Sequence, residues 1–177
     1  MNRTELAYRI HSIASITGDF KLRSGRTSQQ YFDKYRFEAD PTLLKSIAEA
    51  MAPMVPASAE VLAGLEMGGI PIATMVSQLT GLPTCFVRKQ AKEYGTCKFA
   101  EGAEIQGRKV VVVEDVITSG GQAVRSAADL RGAGALIEDV LCVTDREEGG
   151  SENLRNANLQ LHPLFVRAEL EAAIQAS

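Results

Sequence analysis

The sequence contains no tryptophan, two histidines and three cysteines in 177 residues. With His11 and His162 as the whole supply, a histidine-based triad or multi-histidine metal centre has few places to form, and both read as ordinary surface or helix residues. Cys85, Cys97 and Cys142 are odd in number, widely spaced and without a CxxC pair, which argues against a disulfide framework and a zinc site. No apolar run approaches the roughly 20 residues of a membrane span. The opening segment MNRTELAYRIHS is charged where a signal peptide is apolar, so a cytoplasmic protein without membrane contact is expected. A net charge of −3 provides no general attraction for nucleic acid, so an anionic ligand must be held by a local cluster of bases. The chain shows no internal repeat or low-complexity tract, and its length fits one α/β domain, residues 1–177.

What is present centres on Val110 to Gly121, VVVVEDVITSGG. Four consecutive valines predict a strand buried on both faces, as in a parallel sheet, stopping at Glu114 and Asp115. The small and hydroxylated residues from Val116 to Gly121 then read as a turn, and Gln122 to Arg131 as a helix. A glycine-containing turn that opens a helix directs backbone N–H groups and the positive end of the helix dipole at one point, which suits a phosphate monoester. Bare carboxylates beside such a cup would repel a phosphate unless another part of the ligand lay between. A ribose 5-phosphate satisfies both, its phosphate in the cup and its 2- and 3-hydroxyls on Glu114 and Asp115. The plainer alternative is a doubly wound domain whose strand-end acids bind Mg²⁺ or cap a helix.

Around this stretch the pattern predicts a helix over Thr4 to Ile16, with Thr4 as N-cap and Gly18 as its end. Antiparallel hairpin material follows: Phe20 and Leu22 alternate with charged residues, and the run resumes around Tyr31, Phe32 and Tyr35. It reads as a small hood over the main domain or as a structural edge hairpin. Asp40-Pro41 starts a helix that reaches Ala52. Glu60 to Gly64 reads as a strand, LEMGGIP as a turn, Ile72 to Thr80 as a helix and Pro83 to Val87 as a strand. The glycine pair of that turn lets backbone approach a ligand closely. Next, RKQAKEYGTCKFAEG carries Arg88, Lys89, Lys92 and Lys98 without a sustained apolar period, either a solvated loop or a basic lid. Leu136 to Val143 forms a further strand, with Arg146 beyond its carboxyl end, where ligands bind in open α/β sheets. A short helix at Asn153 to Asn156, a strand at Leu159 to Val166 and a helix at Arg167 to Gln175 complete the chain.

The strand, acid pair and phosphate turn resemble the phosphoribosyl pyrophosphate signature of the type I phosphoribosyltransferases. With GDFKLRSGRTSQQYF near the start and the RKQAKEYG loop, the chain resembles the orotate-using members of that family from Gly18 to about Gly149. The resemblance implies the type I phosphoribosyltransferase fold, an open, mostly parallel sheet flanked by helices, with a hood at about 18–37 on a core at about 40–166. It implies transfer of the phosphoribosyl group to orotate for pyrimidine synthesis, with Lys92, Asp115 and Glu114 catalytic. Phosphoribosyl pyrophosphate would contact Arg88, Lys89, Lys92, Glu114, Asp115, Val116, Ile117, Thr118, Ser119, Gly120, Gly121 and Gln122. Orotate would contact Thr118, Arg146, Arg23, Tyr31 and Phe32. Mg²⁺ is implied as cofactor, held mainly through substrate and water rather than by direct protein ligands. A homodimer is implied too, with the 88–102 loop completing the partner's site. The chain departs from the family at Tyr94, where many members have histidine, and at Gly68, where many have lysine. Same-class and different-class alternatives are a transferase for another base and a regulator that senses phosphoribosyl pyrophosphate without turning it over.

Overall fold

The computed structural model describes residues 1–21, 25, 27–90 and 99–175. The first helix, α1 (Arg3–Ala14), is capped by Asn2, whose Oδ1 accepts from the Glu5 N–H at 2.8 Å, rather than by Thr4. It ends earlier than the apolar spacing predicts. From Ser15 the backbone pairs as β1 (Ser15–Lys21) with β2 (Thr27–Phe32), so Ile16 and Gly18 belong to a strand. These two strands form a separate antiparallel sheet. Tyr35, expected to extend the hairpin, instead opens the short helix α2 (Tyr35–Ala39). Asp40 then caps α3 (Pro41–Met51), accepting from the Thr42 and Leu43 N–H groups, with proline in the first turn where no N–H is needed.

The second sheet is assembled from β3 (Val61–Leu65), β4 (Thr84–Val87), β5 (Ala100–Gly102), β6 (Val110–Ile117), β7 (Asp139–Asp145) and β8 (Gln160–Val166). Its order is β5-β4-β3-β6-β7-β8, parallel throughout except for β5, an antiparallel edge strand within the expected basic loop. Helices α4 (Gly69–Thr80), α5 (Gly121–Gly132), α6 (Gly150–Asn156) and α7 (Arg167–Gln175) connect or follow the strands. Alternation along β6 divides the core. Val111 and Val113 face a cluster with Leu6, Ile10, Phe37, Ile47 and Phe165, while Val110 and Val112 face one with Ala123, Ala127, Leu130 and Leu154. From β3 the chain proceeds to one side of the sheet and from β6 to the other. The crevice between the carboxyl ends of β3 and β6 is therefore the switch point at which open α/β sheets bind ligands.

One difference from the sequence reading governs the site. The expected strand stops at the acids, whereas β6 continues to Ile117, because Glu114, Val116 and Ile117 all find partners on β7 (Cys142, Thr144 and Asp145). Acids inside a strand project to opposite faces, so Glu114 and Asp115 do not stand side by side.

Candidate active site

At the carboxyl end of β6 lies a cleft of about 440 Å³. Val116, Ile117, Thr118, Ser119, Gly120, Gly121 and Gln122 line it together with Glu114, Lys34, Glu66, Lys89 and Arg125. Gly120 has φ +73°, a left-handed conformation that glycine adopts at little cost, and this turns the chain directly into α5. The first N–H groups of α5 lack intrahelical partners and face the turn, the electrostatic arrangement an anion requires. The turn is braced from outside: Asn153 on α6 donates its side-chain N–H to the Ser119 carbonyl at 2.9 Å.

Glu114 reaches this cleft from the α5 side of the sheet and is almost wholly buried. Burial first, and then the neighbouring Asp115 charge, hold its carboxyl well above the usual carboxylate range. Asp115 is fully buried on the other face. There the Lys34 ammonium donates to its Oδ1 at 2.8 Å and lies 2.6 Å from Oδ2. Burial alone would lower the Lys34 pKa, but the attraction and hydrogen bond of Asp115, reinforced by Glu114, leave it raised. Glu38, one turn further along α2, joins the group. Burial, followed by the Asp115 charge and hydrogen bond, pushes it up to about 8, so it is mostly protonated at neutral pH. Glu38 Oε1 is buried beside Asp115 Oδ2 without a hydrogen-bond partner of its own, and a proton on Glu38 shared with Asp115 would satisfy it.

The turn after β3 makes this packing feasible. A Cβ on Gly68 would stand 1.7 Å from Asp115 Oδ2 and 2.5 Å from Glu38 Oε1, so the carboxylates occupy the volume a side chain at 68 would fill. The lysine many family members carry there has no room in this arrangement. Glu66, from the same turn, accepts a hydrogen bond from the Lys89 backbone N–H and so ties the ends of β3 and β4 together.

A second, smaller cavity of about 90 Å³ lies between the hairpin, α1, α7 and the end of β7. Tyr31, Phe32 and Arg146 line it, joined by His11, Ser15, Gln30, Thr144, Arg167, Leu170 and Glu171. The Arg146 guanidinium lies 5.6 Å from the Phe32 ring centroid and 3.3 Å from a Glu148 oxygen. Its backbone N–H donates to the Ile117 carbonyl at 2.8 Å, which fixes this cavity beside the turn that follows β6. His11, at the α1 end, is lowered by burial against the opposing pull of Glu171.

Most of the residues expected to bind the sugar phosphate are thus gathered in one cleft, and three of those expected to bind the base in a neighbouring cavity. Thr118 falls in the cleft rather than the cavity. Asp115 is close by but shielded behind Lys34, and Arg88 is exposed beside the cleft, its N–H bonded to the Phe99 carbonyl. Arg23, Lys92 and Tyr94 lie outside the described residues, as do Cys97 and Lys98. Lys34, Glu38, Glu66 and Arg125 escaped the sequence reading. Arg125 had a usable signal, lying one helical turn beyond the cup, and the others had none. Glu66 and Glu114 supply hard oxygen donors of the kind Mg²⁺ prefers. Among the described residues no group of three or more His, Cys, Asp or Glu is placed to hold a metal.

Residues 29–153 match the family model of the phosphoribosyl transferase domain. The chain is 50% identical over 171 residues to an orotate phosphoribosyltransferase of Nocardioides sp., covering 97% of this chain and 96% of that protein. It is 42% identical over 168 residues to the orotate phosphoribosyltransferase of Methanocella arvoryzae, covering 94% and 96%. Its structure is similar to that of Mycobacterium tuberculosis orotate phosphoribosyltransferase in complex with 5-phospho-α-D-ribosyl 1-diphosphate. The TM-score is 0.82 at 27% identity, covering 96% of this chain and 98% of that one. The chain belongs to the phosphoribosyl transferase domain family and, within it, to the orotate phosphoribosyltransferases.

Proposed function

We propose that the protein transfers the 5-phosphoribosyl group from phosphoribosyl pyrophosphate to orotate, giving orotidine 5-phosphate and pyrophosphate in pyrimidine synthesis. The observation that carries this is the cleft in which the Thr118 to Gly121 turn and Glu114 face the same space, next to the cavity holding Arg146. The phosphate tail enters the amides of the turn, and the ribose hydroxyls reach Glu114 and, once it is uncovered, Asp115. Arg146, with five donors in a planar fork, suits the carboxylate or a carbonyl pair of a planar base. Tyr31 and Phe32 give that base apolar surface, and Thr118 and Arg23 complete its contacts.

In the reaction a ring nitrogen of the base bonds to C1 of the ribose as the bond from C1 to the pyrophosphate oxygen breaks, and the electron pair departs with pyrophosphate. Positive charge grows on the ribose ring and negative charge on the leaving group. Glu114 and Asp115 lie on the side where the cation develops, and Arg88, Lys89 and Lys92 take up the negative charge. Mg²⁺, with Glu66 and Glu114 as the protein oxygens nearest to hand, would add positive charge where the pyrophosphate leaves.

We read residues 1–177 as one domain, the hood at about 18–37 closing over a core at about 40–166. The protein acts as a homodimer in which the 88–102 loop completes the partner's site and excludes water that would hydrolyse the substrate. Among the described residues no helix is long and apolar enough to cross a membrane, and we place the activity in the cytoplasm.

Incubation with Mg²⁺, phosphoribosyl pyrophosphate and each of orotate, adenine, uracil and xanthine tests the reading. Orotate absorbance should fall as pyrophosphate is released. Pyrophosphate release with another base but not with orotate would overturn the choice of base.

A further inference from the structure

We propose that Lys34 is a diphosphate-binding residue that alternates between Asp115 and the substrate, uncovering Asp115 for the ribose hydroxyls when the diphosphate draws its ammonium away. The inference rests on the reading of the cleft as a phosphoribosyl pyrophosphate site and adds a residue and a movement to it.

The turn that closes β3 against the cleft, Glu66 to Gly69, carries no cation of its own, and a side chain at Gly68 would overlap Asp115. The positive charge beside that turn comes instead from a distant part of the chain. Lys34, just before α2, extends across to β6, lines the cleft and holds Asp115. About a third of its side chain remains exposed while Asp115 has no exposure at all. Any ligand approaching from the cleft therefore meets the ammonium first, and the carboxylate is accessible only after the lysine moves.

Two features make the exchange feasible. A lysine ammonium is a point charge with three donors on a flexible stem, so it can turn from one oxygen acceptor to another without a set geometry. Asp115 is also not left bare when the lysine leaves, because the Val116 N–H still donates to its Oδ1 and the Glu38 carboxyl stands beside its Oδ2. The charge balance favours the move as well. Lys34, Lys89 and Arg125 bring three cations to the lining of the cleft, which a multiply charged diphosphate would draw on fully.

The ligands of the reaction separate this role from a structural one. Phosphoribosyl pyrophosphate and pyrophosphate carry the diphosphate, whereas orotidine 5-phosphate carries the ribose hydroxyls without it. In K34Q the dissociation constants of phosphoribosyl pyrophosphate and of pyrophosphate, both measured by calorimetry with Mg²⁺, should rise by about 10- to 100-fold, the worth of one charge-assisted hydrogen bond. That of orotidine 5-phosphate should hold or fall, since the hydroxyls no longer compete with the lysine for Asp115. K34R should recover much of the loss. Equal weakening of all three ligands would reduce Lys34 to a structural ion pair, and no weakening would remove it from the site. A crystal structure of the unaltered protein with phosphoribosyl pyrophosphate gives a test independent of any variant's folding. Lys34 Nζ should be within hydrogen-bond distance of a diphosphate oxygen, and its retention on Asp115 would overturn the proposal. Failure of the unaltered protein to bind phosphoribosyl pyrophosphate would instead sink the underlying reading of the cleft.

Discussion

Adding a single methyl group at Gly68 should disturb both stability and substrate binding. Gly68 has φ −71° and ψ −27°, a conformation open to any residue, so Gly68→Ala introduces no backbone strain. The obstacle is steric. The new Cβ would lie 1.7 Å from Asp115 Oδ2 and 2.5 Å from its Cγ, against an ordinary contact of about 3.5 to 4 Å, so the carboxylate must retreat by nearly 2 Å. Glu38 Oε1, at 2.5 Å, ends a longer side chain and can swing aside. Asp115 cannot do so cheaply, being short, fully buried and paired with Lys34. Overpacking of this kind costs about 1 to 3 kcal/mol, and disturbing a buried pair adds to it, which brings the total to about 2 to 4 kcal/mol. In a chain of this length that lowers the melting temperature by roughly 4 to 16 °C. The assay is calorimetric melting together with the KM for phosphoribosyl pyrophosphate, which should rise because the displaced carboxylate intrudes on the cleft. A variant that melts within a degree of the parent and keeps its KM would refute the packing of Asp115 and Glu38 into the space beside Gly68.

Three further changes test other parts of the account. Glu38, pushed up to about 8 by burial and Asp115, binds a proton on folding at any pH between its ordinary 4.5 and that value. Its contribution to stability is therefore full below 4.5 and lost as pH rises through about 8. Gln mimics the protonated form, so the melting temperature of Glu38→Gln should gain on the parent's from pH 5 to 8 and level off above. A difference that does not vary with pH would contradict the shared proton. Arg146→Ala should raise the KM for orotate by about 10- to 100-fold through loss of a charge-assisted contact, leaving phosphoribosyl pyrophosphate binding unchanged by calorimetry. Parallel loss of both would show that the cavity does not hold the base. Arg131 donates to the carbonyls of Ile137, Ala157 and Asn158 at the amino-terminal edge of the sheet, before β7 and β8. Arg131→Ala should cost about 2 kcal/mol of stability in denaturant titration with kcat and KM unchanged, whereas altered kinetics would link that edge to the cleft.

The parts of the fold that local pattern determines were legible in the chain. The terminal helix spans Arg167–Gln175 as its residues suggest, and the apolar runs of β3, β4, β6 and β8 lie within about a residue or two of where they read, apart from the carboxyl end of β6. Errors gathered where tertiary pairing overrode pattern. Helix α1 gives way to β1 because Ser15 and Ile16 find partners on β2, and β6 runs past its acids because β7 lies alongside. The glycine turn that opens α5 was visible because its residues are consecutive. The Lys34, Glu38 and Asp115 cluster was not, since the lysine and the aspartate are 81 residues apart and only the fold brings them together. The two-face placement of Glu114 and Asp115 follows from the period of a strand, but only once the strand is known to include them.

The claim on which the rest depends is that the turn after β6 holds a sugar phosphate while the ribose lies toward Glu114. A crystal structure with orotidine 5-phosphate measures this directly. The account predicts the phosphate among the amides of Thr118 to Gly121, the ribose hydroxyls on Glu114 and the orotate ring beside Arg146. A phosphate bound elsewhere, with that turn filled by side chains of the protein itself, would contradict it.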